Sequence, residues 1–260
     1  MSSETLFSLA GRTALITGGS RGIGRMIARA FVERGARVYI SSRKAADCNT
    51  VAAELSINGG VCHSLPENLS SVEGCARLAA AFARHEDKLD ILVNNAGAAW
   101  LAPFDSFPEK GWDTVMDLNL KSPFFLSQAL IPFLRRAAGP RTPAKIINVA
   151  SVDGLIPSPR ETYPYQASKA GLIHLTRRLA MQLAGENICV NAIAPGAFAS
   201  DLNPFARDRP EELIPHIPSK RIGREEDIQG AAIYLASRAG DYVVGTTLAV
   251  DGGVAFATSY

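Results

Sequence analysis

The chain has 260 residues, of which 47% are apolar and 20% charged, and carries a formal net charge of +2. These values suit one α/β domain with a large core and exclude a disordered or fibrous chain. A charge so near neutral also leaves no electrostatic footprint for nucleic acid or an anionic membrane.

Residues 1–9 show no basic n-region, and no stretch reaches the roughly 18 apolar residues of a membrane span. Cys48, Cys62, Cys75 and Cys189 form no CxxC, and His63, His85, His174 and His216 form no HExxH. Neither a metal site nor a disulfide framework is expected. The composition predicts a cytoplasmic protein with reduced thiols.

The first element, Thr13–Thr17, is an apolar run of strand length that ends in glycines. Residues 22–34 read as a helix, with Ile23, Met26, Ile27, Ala30 and Phe31 at helical spacing and Gly35 as the stop signal. A strand at 37–41, a helix at 44–57, a strand at 61–65, a helix at 72–84 and a strand at 90–93 follow. A long helical region is predicted over 109–137, kinked by Pro123. Then come a strand at 145–150, a helix at 163–184, a strand at 188–193 and a proline-rich loop over 197–222. A helix at 225–236 and a strand at 247–250 close the pattern. Near-continuous apolar strands alternating with helices specify a sheet buried on both faces. No linker or repeat interrupts the alternation. The expected fold is a single doubly wound Rossmann-type domain over 1–260, with a central parallel sheet of about seven strands and helices on both faces.

Thr17-Gly-Gly-Ser-Arg-Gly-Ile-Gly24 lies between the first strand and the first long helix. Gly18, Gly22 and Gly24 let the backbone turn sharply and approach a pyrophosphate, which the helix N-terminus then faces with unpaired N–H groups. No GK[ST] follows, which disfavours a nucleotide kinase or ATPase. About 20 residues on, where a free ribose 2′-hydroxyl would meet an acid, the sequence has Ser41-Ser42-Arg43. Arg43 and Arg21 predict a cationic pocket for a 2′-phosphate, hence NADP(H); two surface arginines would look the same in sequence.

Tyr165 and Lys169 are four apart on a predicted helix and share one face. Tyrosine ordinarily titrates near pH 10, so general acid and base work near neutrality needs a neighbouring cation. Ser151, at the end of the fifth predicted strand, offers a hydroxyl to a substrate oxygen.

These pieces, with Asn94-Asn95-Ala96-Gly97, Asn119, Asn191-Ala-Ile-Ala-Pro195-Gly196 and Asp251-Gly252-Gly253, stand in the order of the short-chain dehydrogenase/reductase family, which the chain resembles from Gly11 to Gly253. The resemblance implies Tyr165 as proton donor and Lys169 as its modulator and a ribose ligand. It further implies Ser151 as holder of the substrate oxygen and Asn119 as the residue that keeps a water in a proton relay. For the cofactor it implies Gly18, Ser20, Arg21, Gly22, Ile23 and Gly24 at the phosphates, and Ser42 and Arg43 at the 2′-phosphate. Asn68 and Leu69 would meet the adenine, and Asn95, Ala96 and Gly97 the adenosine side. Ile193, Pro195, Gly196, Phe198 and Ser200 would meet the nicotinamide side. Asn68 stands where the family usually has Asp, and Ser200 where it often has Thr. The chain is similar to the 3-oxoacyl-[acyl-carrier-protein] reductase-like branch, including its rhamnolipid-pathway type. Reductases of sugars, steroids and other small alcohols share the same motifs, and a non-catalytic dinucleotide-binding scaffold or sensor would share the fold. The family's habit also implies a homotetramer with two-fold axes, or failing that a dimer, built on 109–137, 163–184 and 254–256. Trp100, Ile156 and Phe198 are candidates for an apolar substrate wall beneath a lid at 197–220, with Tyr163 a pocket or packing residue.

Overall fold

In the computed structural model, which describes residues 3–257, seven strands make one parallel sheet. They are β1 (Thr13–Thr17), β2 (Arg37–Ser41), β3 (Val61–Ser64), β4 (Ile91–Asn94), β5 (Ala144–Val149), β6 (Ile188–Pro195) and β7 (Thr247–Val250), in the order β3-β2-β1-β4-β5-β6-β7. The helices between them are α1 (Ser3–Leu6), α2 (Gly22–Glu33), α3 (Ala45–Leu55), α4 (Val72–Ala83), α5 (Glu109–Met116), α6 (Ser122–Ala137), α7 (Tyr163–Leu183), α8 (Pro204–Asp208), α9 (Pro210–Leu213) and α10 (Glu225–Ala236).

Alternate strand residues point to opposite faces, so continuous apolar strands fill two cores at once. Ile16, Ile40 and Val93 pack under Ile27 and Phe31 of α2, Val51 of α3 and Ile228 and Leu235 of α10. Their neighbours Leu15, Leu92 and Ile146 pack on the other face under Phe82 of α4, Leu130 and Leu134 of α6 and Leu183 of α7. The strand order turns between β1 and β4, which pair with each other. That reversal opens a crevice outside the carboxyl ends of the strands, where ligands of such sheets bind.

Two expectations are corrected. The region 109–137 is not a helix kinked at Pro123: α5 and α6 are joined by a π turn at Asp117–Lys121, and Pro123 sits in the first turn of α6. Proline has no N–H to return to residue 119, so the α-helical ladder cannot close there. The segment 197–222 is not simply a loop, since it contains α8, α9 and a 3₁₀ turn at Ile214–His216. Each of these starts with proline in its first turn, a position where the missing N–H is tolerated.

The four cysteines are buried and free. Among the described residues no group of three or more His, Cys, Asp or Glu side chains could hold a metal, and no helix is long and apolar enough to cross a membrane.

The end of β1 is locked to the end of β4 by one hydroxyl. Thr17 Oγ1 accepts from the backbone N–H of Asn95 (2.9 Å) and Ala96 (3.0 Å) and donates to Val93 O (3.3 Å). Thr17→Val keeps the shape and strands two partly buried donors. It is expected to lower the unfolding free energy by about 1–3 kcal/mol, read from urea denaturation.

Candidate active site

The glycine loop leaves β1 and enters α2 at the crevice. Gly18 and Gly22 have φ of +65° and +51°. A β-carbon at Gly24 would lie 2.3 Å from Gly18 O, so loop and helix touch backbone to backbone. Asn95 Nδ2 donates to Thr17 O (2.9 Å) and Gly18 O (3.3 Å) and fixes the loop's course. The N-cap residue Arg21 makes no side-chain cap, so no side chain of the cap takes the first N–H groups of α2, and the helix end is shaped to receive an anion.

Arg21 is not free, however. Its guanidinium pairs with Asp201 at 3.2 Å, and Asp201 also accepts from Arg207 at 2.8 Å. Ser200 lies beside the loop, 3.2 Å from where a Gly22 β-carbon would be. The segment after β6 therefore touches the glycine loop directly. Ser42 is half-buried and donates to Lys44 O (3.3 Å), and Arg43 is exposed with no ion-pair partner among the described residues. Asn68 is exposed, and its Oδ1 accepts from Ser70 N (3.3 Å) and Oγ (3.0 Å).

Two side chains predicted at the cofactor are turned away from it. Leu69 is buried in the core under α4 and α6. Phe198 is 2% exposed, packs into the core with α2 and α10, and lies against Gly223. Only their backbones remain for a ligand, and Phe198 leaves the substrate wall. Its hydrophobicity satisfies a core as well as a pocket, which is why sequence alone could not separate the two. Pro195 ends β6, and Gly196 N donates to Val250 O (3.0 Å), so this corner is held against the end of β7.

The four residues predicted for chemistry converge. Ser151 follows β5 and caps a 3₁₀ turn at Val152–Gly154, its Oγ accepting from Asp153 N at 3.1 Å. The Ser151 hydroxyl stands close enough to the Tyr165 phenol to favour its ionised form. Lys169 is buried, donates from Nζ to Val149 O at 2.7 Å, and lies 5.6 Å from the Tyr165 ring centre. Its other two N–H donors remain for a polar ligand. A β-carbon at Gly97 would lie 3.4 Å from Asn119 Oδ1 and 3.8 Å from Lys169 Nζ, so β4, the π turn and α7 meet at one point.

Asn119 is fully buried, and its side-chain amide is committed. Oδ1 accepts from Ala98 N (2.8 Å), while Nδ2 donates to Ala98 O (2.9 Å) and Ser168 Oγ (3.1 Å). A water-holding role would therefore fall to its backbone carbonyl, which has no α-helical donor because Pro123 stands four residues on.

Electrostatically the site departs from the simple argument. Lys169 does not pull the phenol down. Burial pushes Tyr165 up to about 12, the Ser151 hydroxyl partly opposes this, and the nearby Asp153 charge adds to it. Burial also lowers Lys169 to about 8. Reduction needs a protonated phenol and, for Lys169 to donate from all three N–H groups to Val149 O and the ribose, a cationic lysine; the lysine is the first of the two to lose its proton as pH rises. The kcat/KM for ketone reduction is thus expected to be flat below about pH 8 and to fall above it. A pH–rate profile in the reductive direction checks this. Lys169→Arg, always charged, should remove the high-pH limb if the variant still turns over.

Tyr163 faces elsewhere. Its ring packs edge-on against Phe104 (5.6 Å) and Phe107 (5.7 Å) and its hydroxyl donates to Glu161 (3.4 Å). Trp100 lies over Gly111 on α5, and Ile156 is half-buried. Two features escaped the sequence reading. One is Asp153 beside the phenol. The other is the buried network in which Asn94 donates to Ser127 (3.2 Å) and Asn148 (2.9 Å), and Asn148 to Thr176 (2.8 Å). Asparagines inside buried strands were the available signal for the network, since buried amides need partners.

The family model described as enoyl-(acyl carrier protein) reductase matches residues 18–255. The rhamnolipids biosynthesis 3-oxoacyl-[acyl-carrier-protein] reductase of Pseudomonas aeruginosa is 47% identical over 250 residues, covering 95% of this chain and 97% of that protein. The 2-dehydro-3-deoxy-D-gluconate 5-dehydrogenase of Dickeya dadantii is 39% identical over 254 residues, covering 95% and 96%. Among solved structures, the active-site complex of Pseudomonas aeruginosa RhlG with NADP superposes with a TM-score of 0.93 at 46% identity, covering 97% of this chain and 99% of that one. With a seven-stranded parallel sheet of this order and these matches along nearly its whole length, the chain belongs to the short-chain dehydrogenase/reductase family.

Proposed function

We propose that this chain is an NADP(H)-dependent oxidoreductase acting on a ketone/secondary alcohol pair, with 3-oxoacyl thioesters as the first substrate class. The observation that carries the reading is the convergence of Ser151, Tyr165, Lys169 and Asn119 beside the glycine cradle at the turn of the strand order. The cradle fits a dinucleotide: backbones touch where a β-carbon would intrude at Gly24, and an uncapped helix end faces the crevice. When bound, the nicotinamide supplies or accepts the hydride. Gly18, Ser20, Gly22, Ile23 and Gly24 would hold the phosphates, and Ser42 and Arg43 the 2′-phosphate. Asn95, Ala96 and Gly97 would wall the adenosine side, with Asn68 at the adenine. Lys169 would hold ribose hydroxyls, and Pro195, Gly196 and Ser200 would meet the nicotinamide side.

In the reductive direction Ser151 positions the carbonyl oxygen and Tyr165 gives it a proton. Lys169, fixed by Val149 O, would hold the ribose and so set the nicotinamide against the carbonyl. The 2-dehydro-3-deoxy-D-gluconate 5-dehydrogenase relative supports a second reading, a sugar-acid dehydrogenase. Initial rates with 3-oxoacyl thioesters, keto-sugar acids and simple ketones, each with NADPH and NADH, separate the classes. The first reading expects the thioesters to lead.

The assembly we propose is a homotetramer, in the cytoplasm. A groove of about 570 Å³ on α5, α6 and α7 is lined by Met116, Leu120, Phe124, Phe125 and Leu175. Met181 on α7 is 81% exposed and Phe256 77%. Apolar faces of this kind mark interfaces, and two-fold symmetry would pair each with its own copy. Sedimentation at micromolar concentration is expected to give a tetramer; a stable monomer would contradict the assembly.

A further inference from the structure

Asp153 is an acid that the chemistry above does not use. It stands two residues after Ser151, in the turn Val152–Gly154, and its own N–H donates to Ser151 Oγ at 3.1 Å. The turn rests on α7 at the catalytic lysine: a β-carbon at Gly154 would lie 2.6 Å from Lys169 C and 2.9 Å from Ala170 N. The turn that carries the carboxylate is thus pinned beside the residues proposed for substrate and proton.

Its environment is unusual for a carboxylate. Asp153 is half-buried, and its side-chain oxygens receive no hydrogen bond from any described residue. The one cation acting on it is Arg160, at a distance too long for an ion pair. Arg160 is itself engaged with the ring of Phe205 on α8 (5.4 Å), which Arg209 also covers (4.5 Å). Burial outweighs the pull of Arg160 and raises the carboxyl above its ordinary range, while its charge reaches the Tyr165 hydroxyl. The oxygens still reach solvent in the open site, so a substrate that covers them must supply a donor in place of water.

We propose that Asp153 is a specificity-determining residue that accepts a hydrogen bond from a neutral donor, hydroxyl or amide N–H, next to the reacting carbon of the substrate. The inference rests on the carbonyl-reductase reading and separates its two substrate classes: a keto-sugar acid carries a hydroxyl next to the reacting carbon, and a 3-oxoacyl thioester does not. A plain aliphatic ketone would leave the carboxylate desolvated and unpaired. A substrate with a donor on the adjacent carbon, or an N–H beyond it, would satisfy it. An anionic group at the same place would be repelled.

The test uses two matched pairs of ketones with NADPH. In the first, 1-hydroxy-2-octanone is set against 3-nonanone, which replaces the hydroxyl by methyl. In the second, N-methyl-3-oxohexanamide is set against methyl 3-oxohexanoate, which replaces the N–H by oxygen. The first pair reports a hydroxyl donor and the second an amide donor. Wild-type protein is expected to favour the donor-bearing member of at least one pair by about tenfold or more in kcat/KM. Asp153→Asn keeps an acceptor oxygen and should retain part of that ratio. Asp153→Leu removes the acceptor at similar size and should bring the ratio near one. A lost turn would depress both members of a pair together and leave their ratio unchanged, so a structural role does not mimic this result. Equal rates within both pairs for the wild type, or an unchanged ratio in Asp153→Leu, would overturn the inference alone. No turnover of any ketone would overturn the reductase reading and this inference with it.

Discussion

Tyr165→Phe is expected to reduce turnover by at least about a hundredfold while leaving dinucleotide affinity almost unchanged. The substitution deletes one oxygen. The ring still fills its place near Lys169, and Lys169 keeps its bond to Val149 O. What disappears is the transferable proton and the phenol's interaction with the Ser151 hydroxyl. General acid catalysis ordinarily supplies a hundredfold to ten-thousandfold. The phenol's high value, about 12, keeps it protonated as pH rises, which suits a proton donor to a nascent alkoxide. Binding is read by nicotinamide fluorescence quenching and turnover by nicotinamide absorbance. Loss of both together would mean that the change disturbed the fold and not the proton transfer.

Ser42→Asp combined with Arg43→Ala is expected to turn an NADPH preference of at least about tenfold into an NADH preference. Both residues lie just past the end of β2, which pairs with β1 next to the glycine loop. A 2′-phosphate carries close to two negative charges and can take two parallel hydrogen bonds from a guanidinium. Such charge-assisted bonds contribute about 1.5–3 kcal/mol. Arg43 is exposed and free to swing to the phosphate. Arg21 must first leave Asp201, but that pair is solvent-exposed on both sides, 63% and 51%, and exposed pairs hold weakly. Arg43 therefore carries the selectivity, and Arg21 adds to it. The introduced aspartate repels the phosphate and accepts from a free ribose hydroxyl. The ratio of kcat/KM for NADPH and NADH, taken at one ionic strength for both proteins, reads the change. A wild-type ratio near one would make Arg43 an ordinary solvated residue.

The parallel sheet was legible because its signal is local and repeated. Apart from β3, whose His63 and Ser64 are polar, the strands are largely apolar runs bounded by turns, and α10 and β7 start and end where periodicity places them. The glycine loop was legible for the same reason, since strand, turn and helix are adjacent in sequence. What was not legible depends on tertiary partners. The π turn needs Pro123 together with the Ala98 backbone that clamps Asn119. The inward turn of Phe198 depends on Gly223, twenty-five residues on, leaving room for its ring. Arg21 reads as a phosphate ligand in isolation, and only folding brings Asp201 to it. Asp153 carries no motif at all. Its interest comes from burial, from the lack of a donor and from the Tyr165 hydroxyl nearby. The same limit explains the electrostatics: spacing puts Tyr165 and Lys169 on one helix face, but their protonation follows burial, which sequence does not report.

Activity depends on one coupling, between a bound dinucleotide and a proton from Tyr165 delivered to a carbonyl. The most direct measurement is NADPH consumption with a 3-oxoacyl thioester, quantified against the 3-hydroxy product, for wild type and Tyr165→Phe at equal NADPH occupancy. The account predicts one NADPH consumed for each hydroxyl formed by the wild type, and at least about a hundredfold slower consumption by the variant. NADPH binding without turnover of any carbonyl compound would contradict it and leave a dinucleotide-binding scaffold, as would a variant that matches the wild-type rate.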